Sequence, residues 1–311
     1  MNNDKYINPK NSLVLFELSE HLEFLTKLYT SKKFPKVLML SGKKGIGKFT
    51  LINHFLNFVY NNEKYDLKNK TIDNNSSFYK TFDNNSFSNI IYLPGSNYKN
   101  IKIEDIRYLK SQLLKTTILN KERFVILDDI ELFNINSLNA LLKIIEEPTI
   151  NNFFILINNK AKPLIDTIYS RSLEFKINLT NIIRINIIEA LIKKYNLSPQ
   201  IDYKYTHLTP GNFLSFNDII IQNDILIDDL FLKNISKIFI LYKKNKDLNL
   251  INFSLFLTDY YFQKEIKINV TNIEKIIEKK SFVINNINKF IVHNLNQNSL
   301  INALNSKLYN E

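Results

Sequence analysis

Three of the five glycines in this 311-residue chain fall within six positions, at Gly42, Gly45 and Gly47, and Lys48 follows the last of them. Glycine is needed where a backbone takes positive φ or comes close to a ligand. In residues 41–50, SGKKGIGKFT, the spacing from Gly42 to Lys48 matches G-x-x-x-x-G-K. Such a loop wraps a polyphosphate in backbone N–H groups, brings a lysine to its oxygens, and opens a helix whose positive end faces the anion. A Ser or Thr directly after the lysine would add a hydroxyl ligand for Mg2+. Here that position is Phe49, and the hydroxyl of Thr50 comes one residue late. ATP and Mg2+ are the candidate ligands of a loop whose metal ligand is displaced, and the residues leave its occupancy open. A plain strand-to-helix turn is the other reading of the same glycines.

Further chemistry stands downstream. Residues 123–127, RFVIL, read as a buried strand that delivers Asp128 and Asp129 to its end. A carboxylate there is the Walker B pattern, holding Mg2+ and its water beside the phosphates, and Asp128 is the candidate metal ligand. Residues 153–157, FFILI, form another strand, and Asn158 behind it is a candidate amide contact to a γ-phosphate. In 167–171, TIYSR, the arginine is notable because the chain uses only 4 Arg among its 41 basic residues. A guanidinium donates several hydrogen bonds to phosphate oxygens from one rigid plane, which lysine does not match. An arginine tying a strand end to a helix is the structural alternative. Glu146 and Glu147 resemble a carboxylate pair, but adjacent helical residues point apart and Pro148 stops the helix, so they read as a helix end. His54 and His207 stand far apart in sequence and read as structural.

Elements must bring these residues together. The run 37–40, VLML, reads as a buried strand before the glycine loop, and 50–60 carries apolar residues at helical spacing after it. Residues 89–93, NIIYL, read as a second strand, 103–117 as an amphipathic helix, 137–147 as a helix, and 173–177 as a short apolar run. Strands alternating with helices predict a parallel sheet covered on both faces, with ligands beyond the carboxyl ends of its strands. Residues 61–89 are rich in Asn, Ser and Lys and read as a long surface excursion. Beyond about Asn178 strand signals fade, and the breaks LSP at 197–199 and TPG at 209–211 separate helices. The expected organisation is an α/β domain over 1–178, a small helical lid over 179–222 and an all-helical domain over 223–311.

Composition narrows the function classes. Hydrophobic residues make up 45%, as in a folded protein, and no run reaches the roughly 18 apolar residues of a membrane span. The first ten residues, MNNDKYINPK, lack the apolar core of a signal peptide, so a cytoplasmic chain without membrane partners is expected. With no Cys, disulfides and thiolate zinc sites are excluded. The net charge of +11 comes with 37 Lys, 4 Arg and 46 Asn, a broad compositional bias rather than a dedicated basic patch for nucleic acid.

The order GxxGxGK, acidic strand end, NALLKIIEEP at 139–148, FFILI, then TIYSRS at 167–172 resembles the clamp-loader branch of the AAA+ ATPases, and within it the delta-prime family of bacterial DNA polymerase III. The likeness covers roughly 12–178 and reaches the rest only through length and helical character. It implies a P-loop AAA+ sheet domain, a lid, and a C-terminal collar for oligomerisation. It implies a nucleotide-binding set of Gly42, Gly45, Gly47, Lys48, Thr50 and Asn158, with Asp128 toward Mg2+ and Arg171 offered in trans to a neighbour's ATP. The implied role is a non-motor subunit of the clamp loader, part of a DNA-directed DNA polymerase holoenzyme. Its implied partners are gamma/tau-like and delta-like subunits in a hetero-oligomeric ring, the sliding clamp, and primer-template DNA during DNA replication.

Departures from the motor subunits of that branch carry this choice. Phe49 replaces the metal hydroxyl, Asp129 replaces a Glu, the excursion lacks zinc-binding cysteines, and 209–212, TPGN, lacks a sensor arginine. A carboxylate shortened by one methylene loses roughly 1.5 Å of reach, and misplacement on that scale costs about a hundredfold in rate. Weak or absent ATP turnover by the chain alone is expected. The alternative is a self-sufficient AAA+ ATPase, either a gamma/tau-like motor or a related DNA-remodelling enzyme. Ser172 stands where the family has Cys and reads as packing.

Overall fold

The computed structural model describes residues 7–95, 101–115, 117, 121–269, 272–293 and 295–309. The apolar runs become strands β1 (Val37–Ser41), β2 (Ile90–Pro94), β3 (Arg123–Asp128), β4 (Asn152–Asn158) and β5 (Leu173–Lys176). All pair in parallel in one sheet, in the order β2-β3-β4-β1-β5. Parallel neighbours need crossovers, and these are α2 (Lys48–Tyr60), α3 (Ser77–Asp83), α4 (Ile103–Leu113), α5 (Ile135–Ile145) and the single turn α6 (Asp166–Tyr169), while α1 (Ser19–Thr30) precedes β1. The sheet is thus of the expected α/β class.

Alternation along each strand divides the sheet's apolar side chains between two cores. Leu38, Leu40, Phe124, Ile126, Ile155 and Ile157 join α1 and α2 on one face. Val37, Met39, Val125, Leu127, Phe154 and Leu156 join α4 and α5 on the other. Burying each such side chain contributes roughly 1.5–3 kcal/mol, so the central strands β1, β3 and β4 are the rigid base of the molecule.

Helix limits follow from caps. The predicted helix 103–117 ends at Leu113, and Thr116 lies outside the described residues. The Arg123 guanidinium donates to the carbonyls of Gln112, Leu113 and Lys115, satisfying the orphan acceptors at the end of α4. Helix α5 starts at Ile135, two residues before the expected start, because the Asn134 side chain accepts the Ser137 N–H.

The reading of 61–89 as a surface excursion needs correction. Tyr65, Ile72, Phe78 and Phe82 are buried in the first core. The rings of Phe78 and Phe82 stack 5.8 Å apart, and Lys10 Nζ donates to Phe82 O at 3.1 Å at the end of α3. The i, i+4 aromatic pair gives α3 an apolar face inside an otherwise polar composition.

The remaining helices are α7 (Asn181–Tyr195), α8 (Pro210–Gln222), α9 (Phe231–Asn245), α10 (Leu248–Ile268), α11 (Ile273–His293) and α12 (Gln297–Tyr309). The chain forms two compact units, one built from the segment up to Leu197 with Tyr203–Asn212, the other from Ser198–Asp202 and from Phe213 onward. Segment 179–222 is divided between them: α7 groups with the sheet, and α8 beyond Asn212 with the later helices. In the second unit α9 packs on α10, α10 on α11, and α12 on both α9 and α11. Phe239, Phe262, Val283, Ile287, Phe290 and Leu304 fill that helical core. Among the described residues no helix is long and apolar enough to cross a membrane.

Candidate functional site

Adjacent parallel strands bring the ends of β1, β3 and β4 to one edge of the sheet. Ser41 is in register with Asn158, and Gly42 N donates to Asn158 O at 3.1 Å. The glycine loop then turns into α2 with Gly47 at the N-cap. Gly45 has φ +81°, and a Cβ there would fall 2.5 Å from Thr209 Oγ1. That proximity reflects a closure of 209–212 over the loop. Thr209 Oγ1 donates to Lys44 O at 2.8 Å, and Gly211 N donates to Gly45 O at 2.8 Å. Arg184 of α7 shapes the closing segment by donating to Tyr203 O and Leu208 O.

Lys48 is turned into its own loop. Its Nζ donates to Gly42 O and Lys43 O, both at 2.7 Å, with the residue 3% exposed. Burial lowers its pKa to about 8, against the opposing pull of Asp128, Glu131 and Asp129. Thr50 sits half-buried in the first turn of α2.

The acidic end of β3 is also satisfied from within. Tyr92 OH donates to Asp128 Oδ2 at 3.1 Å, and Asp129 N donates to Asp128 Oδ1 at 2.8 Å. Burial first, and then the neighbouring Asp129, raise the Asp128 carboxyl to about pKa 6. Asp129 adopts a left-handed φ of +51° and pairs with Lys44 at 3.3 Å. The Phe49 ring is buried and meets Tyr92 edge-on, with centroids 5.2 Å apart. As arranged here, these groups do not fit a Mg2+ centre: a buried ring replaces the hydroxyl ligand, and a tyrosine engages the carboxylate oxygen. Among the described residues no group of three or more His, Asp and Glu is placed to hold a metal ion.

The two asparagines at the end of β4, Asn158 and Asn159, have separate partners. Asn158 Nδ2 donates to Tyr169 OH at 3.0 Å, and its Oδ1 accepts Lys160 N at 2.8 Å. Asn159 instead faces the carboxylates, donating to Asp129 Oδ1 at 2.6 Å. Glu131, which sequence reading passed over, is 1% exposed and accepts the N–H groups of Asn159 and Ala161. Its signal was a lone acid three positions beyond Asp128, indistinguishable from a surface residue. His54 is fully buried between Tyr65 OH and Ser12 O, while His207 is exposed.

Arg171 lies apart from these carboxylates, in the turn after α6. Its Nε donates to Glu146 Oε1 at 2.8 Å, and Nη2 approaches the same oxygen at 2.5 Å. Nη1 donates to Thr167 O and Ser170 Oγ. Ser172 Oγ donates to Ile168 O, a local structural bond. Between α4 and α5 runs a groove of about 350 Å³ lined by Arg107, Lys110 and Lys143 and, among the described residues, by no acidic side chain.

Comparison with known proteins agrees with the motif order. The family model described as "DNA polymerase III, delta subunit" matches residues 18–181. A DNA polymerase III subunit delta' of Pseudomonas aeruginosa is 34% identical over 76 residues, 24% of this chain and 23% of that protein. A DNA polymerase III subunit gamma of Buchnera aphidicola subsp. Schizaphis graminum is 32% identical over 94 residues, 30% of this chain and 26% of that protein. The matches thus span about a quarter of those relatives' lengths. Among solved structures, a DNA polymerase III gamma subunit-related protein from Thermotoga maritima superposes with a TM-score of 0.47 at 16% identity, covering 92% of this chain and 98% of that one. The fold assignment rests on the parallel sheet and the family match rather than on that superposition.

Proposed function

This chain belongs to the DNA polymerase III delta subunit family, and from that premise we propose that it is the non-motor, delta-prime-like subunit of a clamp loader. In this reading it completes a hetero-oligomeric ring with gamma/tau-like and delta-like subunits in the cytoplasm. The ring loads the sliding clamp on primer-template DNA during replication, and Arg171 reaches the ATP of a neighbour. A lid over 179–222 and a collar over 223–311 belong to the same proposal, with the lid's α7 grouping with the sheet unit and its α8 beyond Asn212 with the later helices.

The observation that carries it is the hydrogen bond from Tyr92 to Asp128 beside the buried Phe49 ring. A P-loop motor needs that carboxylate and a hydroxyl after the lysine for its metal. Lys48, turned into the loop, and the 209–211 closure point the same way. ATP remains a ligand only of a rearranged loop, with its hydrolysis left to the motor subunits.

An arginine supplied in trans accelerates phosphoryl transfer by about 10³–10⁵. The test is steady-state ATP hydrolysis with clamp and primed DNA, for the chain alone and for the complex with wild type or Arg171→Ala. The expected result is background turnover alone and a steep loss in the assembled Arg171→Ala complex. Ordinary enzymatic turnover by the chain alone would instead select the motor reading, which the retained glycines and the 32%-identical gamma relative favour.

A further inference from the structure

We propose that Glu146 is a positioning residue that parks Arg171 on its own chain until a neighbour's polyphosphate takes the guanidinium over. The inference rests on the reading of Arg171 as acting in trans, and it concerns how that arginine is regulated.

All three guanidinium nitrogens are engaged. The Nε and Nη2 atoms both face Glu146 Oε1, at 2.8 and 2.5 Å. That edge is a two-donor fork suited to bidentate binding of an oxyanion. A phosphate approaching Arg171 in this geometry therefore competes with Glu146 directly. The remaining nitrogen, Nη1, is held by two neutral acceptors of the same turn, Thr167 O at 3.2 Å and Ser170 Oγ at 3.3 Å. Those neutral contacts do not repel an incoming anion.

The position of Glu146 argues against a role in helix stability. It is the C-cap residue of α5. A carboxylate at a helix C-terminus meets the negative end of the macrodipole, which is unfavourable unless a cation offsets it. Arg171, from a separate turn 25 residues later, supplies that cation.

The turn carrying Arg171 is anchored, so the movable part is the side chain. Ile168 is fully buried, and Tyr169 OH accepts from Asn158 Nδ2 at 3.0 Å. Asn158 in turn accepts Gly42 N through its main-chain oxygen. The pair itself is open to solvent, with side-chain exposures of 35% for Arg171 and 44% for Glu146. Exposed pairs of this kind hold by a factor of up to about five, weak enough for a multiply charged phosphate to displace the carboxylate.

The experiment measures ATP turnover of the assembled complex at subsaturating ATP with clamp and primed DNA. It compares wild type, Glu146→Gln, Glu147→Gln, Arg171→Ala and the Glu146→Gln/Arg171→Ala double variant. Release of the parked arginine should make Glu146→Gln about two- to fivefold faster than wild type. Glu147→Gln, which makes the same charge change on the next residue, should leave turnover unchanged, and the double variant should behave as Arg171→Ala. In the isolated chain, the Nε–Hε NMR signal of Arg171 should be protected from exchange in wild type and lose that protection in Glu146→Gln. The parking role is overturned if Arg171→Ala slows the complex while Glu146→Gln does not speed it, or if the wild-type signal shows no protection. Should Arg171→Ala leave turnover unchanged, the reading in trans falls, and the parking role with it.

Discussion

The amide of Gly211 donates to the carbonyl of Gly45 at 2.8 Å, and a Cβ on Gly211 would stand 2.8 Å from the Gly45 Cα. Two backbones that close need glycine on both sides, and here one glycine belongs to the phosphate-type loop and the other to the segment closing over it. Substituting Gly45 by Ala adds a Cβ at φ +81°, 2.5 Å from Thr209 Oγ1. The expected cost is about 1–3 kcal/mol, from backbone strain and a displaced closure. Urea unfolding of Gly45→Ala against wild type checks it, and an unchanged midpoint would mean that the closure contributes nothing.

Restoring the missing hydroxyl should not restore a motor. Phe49→Thr removes a buried ring that packs on Tyr92, at a cost of about 2–4 kcal/mol. The Tyr92 hydroxyl still engages Asp128, so ATP turnover by the variant alone should stay at background. A phosphate-release assay on the purified variant decides this.

Acid should destabilise the sheet unit through His54. Burial foremost lowers its pKa from the ordinary 6.5 to about 4, and the nearby Lys194 adds to this against the opposing Ser12 carbonyl. Between those pH values the unfolded state binds the proton and the folded state does not. Stability from His54 is therefore fully present above pH 6.5 and is lost as pH falls toward 4, by at most about 3 kcal/mol at 1.36 kcal/mol per pKa unit. Denaturation midpoints between pH 4 and 7 should fall less steeply for His54→Gln than for wild type.

In the proposed complex, the basic groove between α4 and α5 is a candidate contact for primer-template DNA. Lys110→Glu should weaken DNA stimulation of the assembled ATPase and reduce the salt slope of DNA binding by about one unit per lost phosphate contact. Binding titrations at several salt concentrations would read the slope, and an unaltered slope would assign the DNA contact elsewhere.

Much of the fold was legible because its signals are local. Runs such as VLML and FFILI read as buried strands, and they are the central β1 and β4. The helix bounds were less so: α4 stops where Arg123, ten residues beyond its last residue, takes up the end carbonyls. The segment 61–89 was misread because its polar background hides an aromatic pair that matters only once a core exists to receive it.

Sequence alone determined which groups could do chemistry: the glycine loop, Lys48, the Asp128-Asp129 strand end and a rare arginine, with Phe49 in the metal position. Those features depend on residue type and short spacing. Only the tertiary structure decided what the groups touch. It turned Lys48 into its own loop and gave Asp128 to Tyr92, Asn158 to Tyr169 and Arg171 to Glu146. It also laid Thr209 on Lys44, a partner 165 residues away. The physical reason is that a hydrogen bond across such a distance leaves no periodic trace in the chain; its partners are selected by the packing of the sheet and its helices.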